Sequence, residues 1–198
     1  MKFSFIHKLI LPAALAFMVY GCGQKQEAAR QPEAMPAQNT AQEAAPPAAP
    51  ISLNIGDAAP AFTMNGPDGK PISLADFKGK VVMLDFWATW CPPCVRSIPH
   101  VKELWAQYKD KDFVILGVSL DRDLDKWSTY IKDQNMSWPQ VSDGKYWENA
   151  AAMQYQIESI PSVWILDKQG RIVLKNMNPL AEAESIEKTI QNLLAAAK

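Results

Sequence analysis

Apolar residues fall into separate runs along this chain, and two of the runs are almost unbroken. Lys80–Ala88 (KVVMLDFWA) and Asp112–Leu120 (DFVILGVSL) are rich in β-branched and aromatic residues and lack polar alternation. Runs of that length and composition predict strands buried on both faces. Ser162–Asp167 (SVWILD) predicts a third strand, and the turn Asp167-Lys168-Gln169-Gly170 sends RIVLKN back antiparallel to it. Phe62–Leu74 reads as a hairpin around Pro67-Asp68-Gly69. Helices are expected from Cys91 to about Lys109, over about Leu124–Asn135 and Trp147–Tyr155, and from about Glu182 onward. The order β-α-β-α, then β-β-α, predicts an α/β fold with a mixed central sheet and helices on both faces.

The first fifty residues follow a different pattern. Lys2 and Lys8 precede an apolar run from Leu9 to Tyr20, the layout of a secretory signal. The run is shorter than the ~20 residues needed to span a bilayer. Val19-Tyr20-Gly21-Cys22 resembles a bacterial lipobox, in which the cysteine is lipidated and becomes the mature N-terminus. A plain signal peptide cut near Gly23, or an uncleaved anchor, is the alternative. From Gly23 to Pro50 the chain is mostly Ala, Pro, Gln and Glu. Such a stretch buries too little apolar surface to offset its ordering entropy, and its prolines oppose an Ala-rich helix. The expected organisation is a signal peptide over 1–21, a lipidated Cys22 with a disordered tether over 22–50, and a folded domain over 51–198. As a flexible coil the tether reaches ~30 Å from a membrane.

Charge narrows the partners. The net charge is -1, with 48% hydrophobic and 21% charged residues. Nothing in that balance favours nucleic acid. Three cysteines are present, and lipidation of Cys22 accounts for the odd one.

The remaining two, Cys91 and Cys94, carry the chemistry. Cys91 stands immediately before a helix whose first turn holds Pro92 and Pro93, a place proline tolerates well. Helix N–H groups and the dipole favour a thiolate there, and Cys94 lies one turn on. That spacing suits a pair in which one thiol attacks a disulfide and the second resolves the product. Pro92 and Pro93 have no N–H to donate, so the thiolate is less stabilised, which leans toward a reductant. Zinc requires four protein ligands; the chain has no second CxxC, and His100 falls on the helix flank. A structural disulfide closing so short a loop adds little stability. A non-enzymatic module, tethered and holding copper or a haem protein through the cysteines, lacks a nearby Met or His ligand pair. In the strand before the motif, Val81, Met83, Asp85 and Trp87 share a face, and a carboxyl among apolar neighbours has a raised pKa. A satisfied structural Asp is the other reading of Asp85. Trp90, beside Cys91, is expected at the surface rim, and Trp138, Trp147 and Trp164 in the packing.

LDFWATWCPPC resembles the active-site strand and turn of thioredoxins, and more closely the membrane-tethered TlpA/ResA-type thiol-disulfide oxidoreductases. The resemblance covers about residues 55–195. It implies a thioredoxin-like fold with an N-terminal β-hairpin and an insertion after the second core strand. Asp85 lies six residues before Cys91, where thioredoxins place a buried carboxylate that takes the proton of the second cysteine. Pro99 lies five after Cys94, where they kink the first helix. Ile160-Pro161 matches their cis-proline, which with Trp90 would contact the substrate peptide. The resemblance also implies a redox-active Cys91–Cys94 disulfide and no cofactor. The implied clients are exported disulfide-containing proteins, apocytochrome c and copper-site proteins among them. The implied donor is an inner-membrane protein of the DsbD/CcdA type, and the implied location is the periplasm, by lipid anchor. Pro92 occupies the slot where ResA-type proteins can carry a glutamate. Gly23 rather than Asp follows Cys22, which under enterobacterial sorting would allow export to the outer membrane, so inner and outer membrane both stay open. The peroxiredoxin-like thiol peroxidase shares the fold. It requires a proline seven residues before its cysteine and Thr or Ser three before, where Cys91 has Leu84 and Ala88.

Overall fold

The computed structural model describes residues 51–196. Cys22 and the expected signal and tether segments lie outside the described residues. The hairpin forms as expected, with β1 (Thr63–Asn65) antiparallel to β2 (Pro71–Ser73). Both long apolar runs become strands, β3 (Val81–Trp87) and β4 (Phe113–Ser119). Between them runs α1 (Pro92–Tyr108). After β4 come α2 (Leu124–Asp133), β5 (Gln140–Val141) and α3 (Ala150–Gln154). The chain closes with β6 (Ser162–Leu166), β7 (Ile172–Met177) and α4 (Ala183–Ala195).

The sheet order is β5-β4-β3-β6-β7. β3, β4 and β5 run parallel, while β6 and β7 are antiparallel to their neighbours. Every residue of β3, β4 and β6 is buried. Successive side chains of a strand point to opposite faces, so both faces of the sheet are covered. α1 buries Cys94, Ile98, Val101, Leu104 and Tyr108, one stripe at three- and four-residue spacing. Pro99 sits inside α1 without ending it. α4 packs Ile186 and Ile190 into the core. Among the described residues, no helix is long and apolar enough to cross a membrane.

Three details depart from the pattern of the sequence. β5 is two residues long and has no apolar period of its own; it exists because Gly117 and Val118 of β4 pair with it. The expected helix over Trp147–Tyr155 is shorter. Tyr146–Glu148 form a 3-10 turn, and Asn149 caps α3 by accepting from Ala152 N at 3.0 Å. Trp138 and Trp164 are core residues as expected, but Trp147 is only half-buried and stacks at the surface beside Trp90.

Candidate active site

β3 is the middle strand of the sheet, and its carboxyl end feeds the CxxC turn. The chain leaves Trp87, passes Ala88-Thr89-Trp90 and enters α1. Cys91 is the N-cap of α1, in extended backbone conformation, and its Sγ accepts from Cys94 N at 3.2 Å. Pro92 and Pro93 hold the first two helical positions. Because neither has an N–H, Cys94 N is the one backbone group of that turn that reaches Cys91 Sγ. Cys91 and Cys94 form a disulfide, with Cα atoms 5.3 Å apart. In this closed form Cys91 is 4% exposed and Cys94 1%. The first cysteine is thus more covered than its place at a helix start suggests.

Part of that cover comes from across the sheet end. The Ile160-Pro161 peptide bond is cis, and the Ile160 carbonyl oxygen lies 3.7 Å from Cys91 Sγ. Ile160 and Pro161 are both partly exposed, directly before β6. An aromatic rim flanks the motif. Trp90 is 38% exposed and donates its Nε1–H to the Leu120 carbonyl at 3.3 Å. The Tyr146 and Trp147 rings lie 4.8 Å and 6.1 Å from it, and the Arg122 guanidinium stacks over Tyr146 at 4.7 Å. Tyr146 has φ +60°, a left-handed conformation that a bulky residue adopts only when its surroundings enforce it. Three residues on, Asn149 is fully buried and donates to Asp143 Oδ1 at 3.0 Å and to the Ser119 carbonyl at 3.3 Å.

Two carboxyl groups are buried near this end of the sheet. Asp85 lies in β3, paired with Gly117 of β4 and Val163 of β6. It is 4% exposed, and its Oδ1 has no hydrogen-bond partner among the described residues. Burial alone pushes its pKa up to about 7, because a low-dielectric setting disfavours the charged form. One oxygen of Asp85 thus lacks the protein donor that a fully satisfied structural carboxylate would have. Asp121, just past β4, is the opposite case. It accepts from Thr89 N at 3.0 Å, Thr89 Oγ1 at 2.6 Å and Ser119 Oγ at 2.7 Å. Thr89 belongs to the turn that carries Trp90 and Cys91, so Asp121 ties that turn to β4.

Of the residues singled out from sequence, the fold gathers Cys91, Cys94, Trp90, Ile160 and Pro161 at one sheet end. Asp85 occupies the interior of the strand that leads there. Thr89, Asp121, Tyr146 and Asn149 were not foreseen. Asp121 stands in the polar run DRDLD, which reads as a helix approach, and only folding shows its partners.

A cysteine pair bonded at a helix start, at the end of the central strand of such a sheet, defines a thioredoxin-like thiol-disulfide oxidoreductase. The chain belongs to the AhpC/TSA family, whose model matches residues 55–175. Among curated proteins it is similar to the thiol-disulfide oxidoreductase ResA of Bacillus thuringiensis subsp. konkukian. The two are 32% identical over 121 residues, which is 61% of this chain and 68% of the relative. ResA of Bacillus subtilis is 28% identical over 122 residues, 62% and 66% of the two chains. Among solved structures, the thioredoxin domain of a Bacteroides vulgatus thiol-disulfide oxidoreductase superposes with a TM-score of 0.63. It is 34% identical and covers 70% of this chain and 99% of that one. A thiol:disulfide interchange protein from Bacteroides sp. likewise gives 0.63 at 32% identity, covering 74% and 93%.

Proposed function

We propose that Cys91 and Cys94 are the reacting pair and that the domain reduces disulfides of exported proteins. The observation that carries this reading is the placement of Cys91 at the N-cap of α1, bonded to Cys94 one turn on. In the reduced form, the Cys91 thiolate attacks one sulfur of a client disulfide, and the other client sulfur leaves as thiolate. Cys94 then loses its proton and attacks Cys91 Sγ. The Cys91–Cys94 bond forms, the second client sulfur leaves, and two electrons have passed to the client. Asp85, buried with a pKa raised to about 7, suits the acceptance of the Cys94 proton near neutral pH. Trp90 gives the client an apolar edge beside the sulfur. Ile160 and Pro161 present backbone against which an extended client segment can pair, as in strand addition.

The pair must be reduced again after each turnover. A membrane dithiol donor of the DsbD/CcdA type fits the tethered, extracytoplasmic arrangement expected from Cys22 and the Pro-rich segment. Apocytochrome c is the client class that the ResA resemblance favours. The missing N–H groups of Pro92 and Pro93 support a reductant, with a potential of roughly -200 to -280 mV, toward that of thioredoxin.

The test is a pair of variants. Cys94→Ser is expected to accumulate mixed disulfides with clients, because only the resolving step is lost, while Cys91→Ser forms none and reduces nothing. Turnover by Cys94→Ser at the wild-type rate would overturn the two-thiol assignment.

A further inference from the structure

Gln140 has no stated part in this site, yet three observations join it to Asp85. The first is register. Asp85 pairs with Gly117, and Gly117 pairs with Gln140. The three residues form one row across β3, β4 and β5, and residues of a row project from the same face. The second is space. A Cβ built on Gly117 would fall on the Gln140 side-chain amide, with Cδ at 2.6 Å and Nε2 at 2.9 Å, and Oε1 closer still. Gly117 does not carry the left-handed backbone that usually calls for glycine. Its missing side chain is what lets the Gln140 amide lie over β4, in the gap between Gln140's own strand and Asp85.

The third is hydrogen bonding. Gln140 is 1% exposed, and its Oε1 accepts from Trp87 Nε1 at 3.0 Å. An indole N–H only donates, so that bond fixes which end of the amide is oxygen. The other end, Nε2, is a buried donor with no partner among the described residues. Asp85 Oδ1 is a buried acceptor in the same condition, on the same face and one strand from the amide. Two unpaired groups of opposite kind so placed are costly separately and complementary together.

We infer that Gln140 is a positioning residue for Asp85, its Nε2–H group serving as the hydrogen-bond donor to the Asp85 carboxylate whenever that group ionises. The hydrogen bond that Gln140 makes is to Trp87 rather than to either cysteine. It sets how readily Asp85 holds a proton, and so the pH range in which Asp85 can accept one. The inference deepens the proposed role of Asp85 and rests on it for its functional meaning. Asp85 faces few rivals. Burial is the single cause of its shifted ionisation, with no charged neighbour contributing. The Asp121 carboxylate is occupied by Thr89 and Ser119. The Cys91 and Cys94 thiols titrate only when reduced.

The test uses the full chain in its disulfide form, which silences both thiols. The carboxyl carbon of Asp85 is followed by NMR across pH in the wild type, Gln140→Met and Gly117→Ala. Met fills the space of Gln without a donor, and Ala displaces the amide without changing its chemistry. Both are expected to raise the Asp85 midpoint by about one pH unit, the worth of one hydrogen bond to a charged group. In the wild type, the Gln140 side-chain N–H resonances are expected to move with the same midpoint as Asp85. That readout requires no variant to fold. Gln140 resonances that stay fixed while Asp85 titrates, or an unmoved midpoint in a folded Gln140→Met, would overturn the inference. Failure of the underlying reading is separate: Asp85 would then titrate with Gln140 as described, while Asp85→Asn leaves the resolving step unchanged.

Discussion

Asp85 and Asp121 are both buried carboxyl groups, placed within two residues of the ends of neighbouring strands, yet their surroundings are opposite. Asp121 accepts three hydrogen bonds from Thr89 and Ser119, while Asp85 Oδ1 has none among the described residues. The donors that surround Asp121 make it a fastener for the CxxC turn. Asp85 has only desolvation, which makes its charge expensive and its proton easy to keep. The contrast separates a carboxylate built to hold structure from one suited to moving a proton, and burial alone does not distinguish them.

The largest expected effect falls on the fastener. Asp121→Ala leaves Thr89 N, Thr89 Oγ1 and Ser119 Oγ without their acceptor. We expect a loss of about 5 kcal/mol in chemical denaturation, from three bonds to a charged group at ~1.5–3 kcal/mol each. A loss under about 1 kcal/mol would mean that the turn is held by other contacts.

Asp85→Asn is expected to act in the opposite direction. The unfolded group ionises near its ordinary value of 3.8 and the folded one at about 7. Between these values the native state binds a proton that the unfolded state has lost, so stability falls as pH rises through this window. Below it the penalty is absent, and above it the penalty is complete, at up to about 4 kcal/mol. Asn carries no such penalty. Urea denaturation at pH 8 is therefore expected to find the variant more stable than the wild type, with the gap closing toward pH 4. A variant less stable at both pH values would place Asp85 with Asp121 as a structural group.

The smallest expected effect is at the rim. Trp90→Ala removes one partly exposed ring, and client affinity is expected to fall roughly fivefold, near 1 kcal/mol. Reduction of a small disulfide should change less than reduction of a protein client. Equal losses on both would assign Trp90 to cover for Cys91 rather than to client contact.

The same contrast explains what the sequence could and could not disclose. β3, β4, β6 and α1 announce themselves through local composition, Cys91 and Cys94 through their spacing, and Pro161 through the resemblance to thioredoxins. Asp85 was visible because it interrupts an apolar run. Asp121 was not, since its donors come from Thr89, thirty-two residues away, and from Ser119. Trp147 has the composition of a core residue, but the 3-10 turn at Tyr146–Glu148 delivers it to the rim. β5 and Gln140 depend wholly on pairing with Gly117 and Val118. Features fixed by contacts between distant residues leave no local period to detect.

The central claim is that Asp85 takes the Cys94 proton during resolution. Stopped-flow measurement of the breakdown of a preformed mixed disulfide on Cys91, from pH 5 to 9, tests it most directly. The account predicts a wild-type rate that rises through a midpoint near that of the buried carboxyl, about 7. In Asp85→Asn it predicts a rate lower on the order of 10²-fold with that midpoint gone. An Asp85→Asn protein that resolves at the wild-type rate, with the same pH dependence, would contradict it.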